Sequence, residues 1–162
     1  MAAAVRAYVG LGANLGDPAA QIESALTALA ALPSSRLVAR SRLYRSPPWG
    51  PVAQPDYLNA AAALDTSLSP QALLQALLGI ERGAGRERRE RWGPRVLDLD
   101  LIAYGGLQID EPGLQLPHPR LAQRPFVLLP LLELEPGLEL PGLGALSSLR
   151  DSVDCSTVQA LG

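Results

Sequence analysis

Two aspartates, Asp98 and Asp100, interrupt an apolar segment in the stretch RWGPRVLDLDLI, residues 91–102. If this segment is a β-strand, its side chains alternate between faces, so both carboxylates lie on one face. The other face then carries leucines that point into a core: Leu97, Leu99 and Leu101. The Cα atoms of the two acids would be about 6.6 Å apart, so their oxygens can converge on one ion or a close pair. Oxygen ligands favour Mg²⁺, which takes further ligands from water and substrate phosphates.

An arginine-rich segment comes just before the two acids. It holds six of the chain's fourteen arginines: Arg82, Arg86, Arg88, Arg89, Arg91 and Arg95. Glycines and a proline within it predict a loop or a frayed helix end. Guanidinium groups bind phosphate oxygens, so arginines beside an acidic metal site predict a polyanionic ligand such as a nucleoside triphosphate. A P-loop would need a lysine, and the sequence contains none.

The length and composition limit the classes of protein to consider. The 162 residues are 48% apolar and 19% charged, which predicts one globular domain over residues 1–162. A net charge of −2 argues against attraction to nucleic acid or an anionic membrane. A single cysteine excludes an internal disulfide framework, and no run of eighteen apolar residues occurs. We therefore expect a soluble, cytoplasmic protein.

Apolar periodicity and cap signals predict a βαββαβ order. The predicted strands are residues 5–11, 37–45, 57–66 and the acidic strand, and the helices begin at the caps Asp17 and Ser69. On the third strand, Tyr57 and Asn59 lie on one face, opposite Leu58 and Ala60. This order is typical of a ferredoxin-like α+β fold, with an antiparallel sheet backed by helices and here a C-terminal extension from Gly105 onward. The glycines at positions 10, 12 and 16 have the wrong spacing for a dinucleotide-binding fingerprint.

Four segments of the sequence resemble the 6-hydroxymethyl-7,8-dihydropterin pyrophosphokinases of folate biosynthesis. They are GLGANLGD (10–17), LYRSPPWGPVAQPDYLNAA (43–61), IERGAGRERRERWGPRVLDLDLIAYG (80–105) and LPHPRLAQRPFVLLPL (116–131). The motif RWGPR-x-LDLD is long and unusual, which makes it the strongest signal. The resemblance implies a ferredoxin-like monomer that transfers diphosphate from ATP to the pterin hydroxymethyl oxygen. The expected chemistry is a direct in-line attack on the β-phosphorus, with release of AMP.

The same resemblance implies roles for individual residues. Asp98 and Asp100 would bind two Mg²⁺ ions and would form the catalytic set with Arg86 and Arg95. The residues implied to contact ATP are Glu81, Arg86, Arg88, Arg91, Trp92, Arg95, Ile102, His118 and Arg124. Those implied to hold the pterin are Ser46, Pro47, Trp49, Tyr57, Asn59 and Phe126. Tyr57 and Phe126 would stack on the heterocycle, and the Asn59 amide would read its edge.

Other functions compete with this interpretation. The arginines could belong to a nucleic-acid-binding module, although the strand faces lack clustered stacking aromatics. The same two acids could serve a metal-dependent nuclease or nucleotidyl hydrolase. The acids could also be merely solvated and the arginines an exposed charge run, in a protein that is not an enzyme. From pattern alone, Tyr57, His118 and Phe126 are ordinary core, surface or capping residues.

Overall fold

A computed structural model of the chain describes residues 3–48, 53–84 and 97–161. The strands are β1 (Val5–Ala13), β2 (Ser35–Arg40), β3 (Leu43–Ser46), β4 (Tyr57–Thr66), β5 (Asp98–Tyr104), β6 (Ile109–Glu111), β7 (Leu114–Leu116), β8 (Glu139–Leu140), β9 (Gly144–Ala145) and β10 (Gln159–Leu161). The helices are α1 (Pro18–Ala30), α2 (Pro70–Gly83), α3 (Pro125–Leu134) and α4 (Leu146–Asp151), with a 3-10 turn at Leu121–Gln123.

Six strands form one antiparallel sheet. Its order is β10-β3-β4-β1-β5, and β2 also pairs with β4. The two remaining strand pairs, β6-β7 and β8-β9, are separate hairpins. The predicted antiparallel sheet backed by helices is therefore confirmed. Because β1 lies between β4 and β5, it brings residues from two distant parts of the sequence side by side.

Helices cover both faces of this sheet. One buried cluster joins the sheet to α1 and α2 through side chains such as Ile22, Leu29, Leu73 and Leu77. A second cluster packs α3 and α4 on the opposite face. α3 (PFVLLPLLEL) is apolar nearly all round, so it is buried against the sheet rather than lying amphipathic on the surface. No helix within residues 3–48, 53–84 and 97–161 is long and apolar enough to cross a membrane.

The predicted helix starts and the third strand are confirmed. The Asp17 carboxylate and the Ser69 hydroxyl each accept a hydrogen bond from the amide three residues on, at 3.1 Å. β4 begins at Tyr57 and ends at Thr66, as predicted. Of its side chains, Ala60, Ala62 and Leu64 belong to the first cluster and Ala61 and Ala63 to the second.

The single strand predicted over residues 37–45 is wrong, because the structure has two strands there, β2 and β3. Both pair with β4, and the register between them shifts near Ser41. Ser41 is 1% exposed; its amide donates to Ala61 O, and its hydroxyl accepts from Ala61 N, each at 2.9 Å. The Ser41 hydroxyl thus takes the place of a backbone acceptor in the pairing with β4. This interrupts the strand, while the alternation of apolar residues along the sequence continues.

Candidate functional site

The two acids lie on β5, at one edge of the described sheet. Both are half-buried, while Leu97, Leu99 and Leu101 are buried in the first cluster. Ile102 is buried in the second cluster, on the face that the two carboxylates share. The predicted alternation is therefore confirmed, and the two carboxylates project together from the sheet.

Two glycines of β1 form the floor beside these acids. Gly12 pairs with Asp98 on one side and with Asn59 on the other, and Gly10 pairs with Asp100 and Ala61. A Cβ added at Gly12 would lie 3.3 Å from Asn59 Oδ1, a tight contact that the Asn59 amide would have to relieve by shifting. Two inter-strand spacings separate Asp98 from Asn59, which is about 10 Å. The two glycines therefore place a stretch of backbone without side chains between an acidic group and an amide.

Hydrogen bonds between buried side chains support the amide side of the site. Asn59 is 5% exposed, and its Nδ2 donates to Ser46 Oγ at 2.7 Å. β3 pairs Ser46 with Tyr57, which is half-buried, so the three side chains share one face. Asn14, also buried, donates to Gln54 Oε1 at 2.8 Å and to the Pro55 carbonyl at 2.9 Å. This pair of bonds fixes the segment that leads into β4.

A cleft of about 670 Å³ opens on the side of β5 that faces away from β1. It is lined by α2, β5, the β6-β7 hairpin and the loop that follows, and it includes Glu81, Asp98, Asp100, Asp110 and His118. Glu81 is 2% exposed, and its Oε2 accepts a hydrogen bond of 2.7 Å from the amide of Leu99. The Leu99 amide points away from β1, toward the side on which a further strand would pair. The Glu81 carboxylate accepts its hydrogen bond in place of such a strand. The end of α2 thereby holds the segment that carries the two acids.

His118 is held from both sides in a neutral form. Its amide donates to the carbonyl of Ile102 at 2.9 Å, and its Nδ1 accepts from the amide of Arg120 at 3.2 Å. Burial, with a smaller contribution from the charge of Arg124, lowers the pKa of His118 to about 4 although Asp98 opposes this shift. A neutral ring whose Nδ1 accepts carries its proton on Nε2, so His118 can donate one hydrogen bond to a ligand.

The position of His118 depends on a bulge in β5. The register between β1 and β5 shifts, so that Val9 pairs with Leu101 and Tyr8 with Ala103. Ile102 is the extra residue, and its carbonyl accepts the His118 amide. Ile102 was expected to contact ATP; the structure shows a buried side chain and a backbone contact to His118.

A second cavity, of about 510 Å³, lies beside the end of β3. Its lining includes three residues of the expected pterin set, Ser46, Pro47 and Phe126. Phe126 is half-buried against the second cluster, and the guanidinium carbon of Arg124 lies 5.8 Å from the centre of its ring. Both residues belong to the first turn of α3 or its cap, which places a cation and a ring at one corner of the site.

The sequence model of a family described as 7,8-dihydro-6-hydroxymethylpterin-pyrophosphokinase (HPPK) matches residues 8–136. The chain belongs to the HPPK family. As a family member it is a pyrophosphokinase, an ATP-dependent diphosphotransferase of folate biosynthesis.

Curated relatives carry the corresponding enzyme name. The chain is 52% identical over 137 residues to a 2-amino-4-hydroxy-6-hydroxymethyldihydropteridine pyrophosphokinase of Methylorubrum extorquens, covering 85% of this chain and 87% of that protein. It is also 52% identical to the enzyme of that name from Pseudomonas aeruginosa, over 84% of each chain.

A crystal structure of Plasmodium falciparum HPPK-DHPS has a similar fold. The TM-score is 0.73 at 15% sequence identity, over 93% of this chain. The chain spans 46% of that longer protein, so the likeness concerns the fold of one part of it.

Six residues of the expected HPPK site fall outside the part of the chain that the structure describes. They are Trp49, Arg86, Arg88, Arg91, Trp92 and Arg95. Of the described residues, Glu81, Asp98, Asp100 and His118 line one cleft, and Ser46, Pro47 and Phe126 line the other cavity. Among residues 3–48, 53–84 and 97–161, no group of three or more His, Cys, Asp and Glu side chains is placed to hold a metal ion.

Sequence reasoning missed three supports of this HPPK site. Gly12 belongs to the segment 10–17 that resembles the family, but nothing in the sequence predicts that it pairs with Asn59 on one side and Asp98 on the other. Asn14 looks like an ordinary turn residue, and nothing local predicts its bonds to residues forty positions away. Glu81 was expected near the nucleotide, and its bond to the Leu99 amide follows only from the edge position of β5.

Proposed function

We propose that this chain transfers the diphosphoryl group of ATP to the hydroxymethyl oxygen of 6-hydroxymethyl-7,8-dihydropterin. The hydroxyl oxygen attacks the β-phosphorus in line, the bond from that phosphorus to the α,β-bridging oxygen breaks, AMP leaves, and the hydroxyl proton is lost. The observation that carries this proposal is the register of β1. It sets Asp98 and Asn59 on either side of Gly12, on one face of the sheet.

Two carboxylates on one strand face fit a magnesium site. Asp98 and Asp100 would hold the metal, expected as two ions, and the small number of protein ligands is usual for Mg²⁺ bound with a nucleotide. When bound, the metal supplies charge neutralisation and orientation for the phosphate oxygens. The chain's own contribution is to hold both carboxylates on a strand whose outer edge is fixed by Glu81.

Tyr57, Asn59, Ser46 and Phe126 are suited to hold a flat polar heterocycle. Stacking on the two rings would contribute dispersion energy, as it does for other aromatic ligands. The Asn59 amide is already fixed by its bond to Ser46, so little conformational entropy is lost when it binds the ring edge. Pro47 and Trp49 complete the expected pterin set.

The cleft at the edge of β5 is suited to the nucleotide. His118 can donate from Nε2 without bringing a positive charge, because burial keeps its ring neutral. Arg124 carries a fixed positive charge near that ring, and we propose that it binds phosphate with Arg86, Arg88, Arg91 and Arg95. Trp92 and Ile102 belong to the same expected set.

We propose no general base among these residues. The chemistry depends on positioning the two substrates and on stabilising charge at the phosphates, as in other phosphoryl transfers. A pH–rate profile with a sharp enzyme pKa that disappears on replacing one nearby side chain would contradict this point.

The strand order also supports the ferredoxin-like classification. If β2 and β3 count as one interrupted strand, the order β5-β1-β4-β2/β3 and the element order βαββαβ agree with that fold. We further propose one catalytic domain over residues 1–162, acting as a cytoplasmic monomer on small-molecule substrates without nucleic-acid or membrane partners.

Incubation with ATP, Mg²⁺ and 6-hydroxymethyl-7,8-dihydropterin tests the reaction. We expect AMP and pterin diphosphate in equal amounts, and AMP only when the pterin is present. AMP release without pterin would indicate a hydrolase instead, and salt-dependent binding of RNA or DNA would favour a nucleic-acid-binding module.

A further inference from the structure

The second cavity has a wall that comes from the C-terminal end of the chain. Besides Ser46, Pro47 and Phe126, it is lined by Val153, Asp154, Thr157 and Val158. The family match ends at residue 136, so this wall lies beyond the segment that the family model matches. We call residues 153–158 the C-terminal turn.

The register of β10 places the C-terminal turn beside the pterin residues of β3. β10 pairs antiparallel with β3, with Gln159 opposite Arg45. Continuing this register by one and two residues sets Val158 beside Ser46 and Thr157 beside Pro47. The lining of the cavity agrees with this placement, since all four residues contribute to it.

The C-terminal turn is built from local hydrogen bonds. The Ser156 amide donates to Asp154 Oδ1 at 2.9 Å, and the Val158 amide donates to the Cys155 carbonyl at 3.1 Å. Val153 packs against the second buried cluster, and β10 holds the other end. A segment anchored at both ends, with its own turn bonds, can act as a fixed wall.

The chemistry of the wall suits a pterin. Its apolar surface comes from Val153 and Val158, and Thr157 and Asp154 add polar atoms. Hydrogen bonds from the Ser156 side chain and amide lower the pKa of Asp154, so its carboxylate is an acceptor at neutral pH. Acceptors complement the amino and ring N–H groups of a 2-amino-4-hydroxypteridine.

We propose that the C-terminal turn is the outer wall of the pterin pocket and a determinant of pterin affinity, a role that rests on the proposed function. The turn lies beside Ser46 and Phe126 and is distant along the sheet from the acids of β5. It should therefore affect the binding of the pterin and not that of the nucleotide.

Filling the cavity from this wall tests the proposal. Thr157→Trp in the full chain should raise the KM for the pterin by about tenfold and change the KM for ATP by less than about twofold. Thr157→Val removes the hydroxyl but keeps the volume, so it should raise the pterin KM by less than Thr157→Trp does. Thr27 is an exposed threonine of α1, so Thr27→Trp is the control for the effect of adding an indole elsewhere on the surface. Titration calorimetry of the pterin with Mg²⁺ and a non-hydrolysable ATP analogue should show the same loss of affinity.

Val158→Leu adds only one methylene to the same cavity. It is the second variant to measure if Thr157→Trp does not fold. It should raise the pterin KM by about threefold. Pterin-dependent AMP formation by the wild type, together with an unchanged pterin KM in the variants of the turn, would overturn this inference alone. Absence of pterin-dependent AMP in the wild type would overturn the proposed function and this inference with it.

Discussion

The amide of Leu99 donates a 2.7 Å hydrogen bond to the carboxylate of Glu81, which is buried at the end of α2. Leu99 lies between the two acids of β5, so this bond fixes the strand at the point where its two carboxylates project. An edge strand has an unpaired row of amides, and here a side chain from the covering helix satisfies one of them. The bond therefore connects helix packing on one face to the acidic site on the other.

Removal of this acceptor should destabilise the protein. Glu81→Ala leaves the Leu99 amide buried without its carboxylate, and we expect the free energy of unfolding to fall by about 1–3 kcal/mol. Glu81→Gln keeps an acceptor oxygen of the same reach and should recover most of this loss. Urea denaturation measures both variants. Glu23→Ala, which removes only an exposed ion pair with Arg40, is the control and should change stability by less than about 1 kcal/mol. Equal stability of Glu81→Ala and wild type would contradict the structural role.

Gly12 should be required for pterin binding. In Gly12→Ala, the new Cβ would lie 3.3 Å from Asn59 Oδ1, so the Asn59 amide, which we propose reads the pterin edge, must shift by a few tenths of an ångström. We expect the pterin KM to rise by about tenfold, with little change in the KM for ATP.

Gly10→Ala is the matched control for that experiment. Its Cβ would meet Ile102 at 3.5 Å, which is an ordinary contact, and the pterin KM should stay near the wild-type value. A well-folded Gly12→Ala enzyme with wild-type pterin KM would show that the glycine floor does not limit the pocket.

The alternation of β5, the caps of α1 and α2, and the bounds of β4 could be predicted because each depends on neighbouring residues. The break at Ser41 could not, since the apolar alternation runs through it and only the pairing with β4 reveals the shift. β10 is three residues long and lies far along the chain from β3, so no local pattern predicts its pairing. The site residues divide in the same way. The spacing of Asp98 and Asp100 is a local signal that predicts a metal site, whereas roles for Tyr57, His118 and Phe126 follow only from the family resemblance.

The partly buried imidazole of His118 should make stability depend on pH. Its pKa is about 4 in the folded protein and 6.5 in the unfolded chain, so the unfolded chain binds more protons between these values. The stability contributed by the neutral ring is complete above pH 6.5 and is lost as the pH falls toward 4. The loss is at most about 3 kcal/mol.

Denaturation of wild type and His118→Asn between pH 4 and 7.5 measures this contribution, because other titrating groups cancel in the difference. The wild type should lose more stability than the variant as the pH falls from 6.5. Parallel curves for the two proteins would contradict a lowered pKa of His118.

The two acids of β5 should matter for turnover more than for pterin binding. We expect Asp98→Asn or Asp100→Asn to lower kcat by at least about 100-fold, because each removes charge from the proposed metal site. The dissociation constant of the pterin should change by less than about threefold. Asp110→Asn is the control: Asp110 is an exposed acid of β6 that lines the same cleft and accepts a hydrogen bond from Gln115, and its replacement should leave kcat nearly unchanged. Equal losses of turnover and pterin affinity in the β5 variants would argue against a metal-centred role.

A crystal structure with Mg²⁺, a non-hydrolysable ATP analogue and the pterin tests the central claim most directly. We predict metal density bound to oxygens of both Asp98 and Asp100 and to the triphosphate, with the pterin ring between Tyr57 and Phe126. A complex in which both carboxylates face only solvent, and the nucleotide binds elsewhere, would contradict the account.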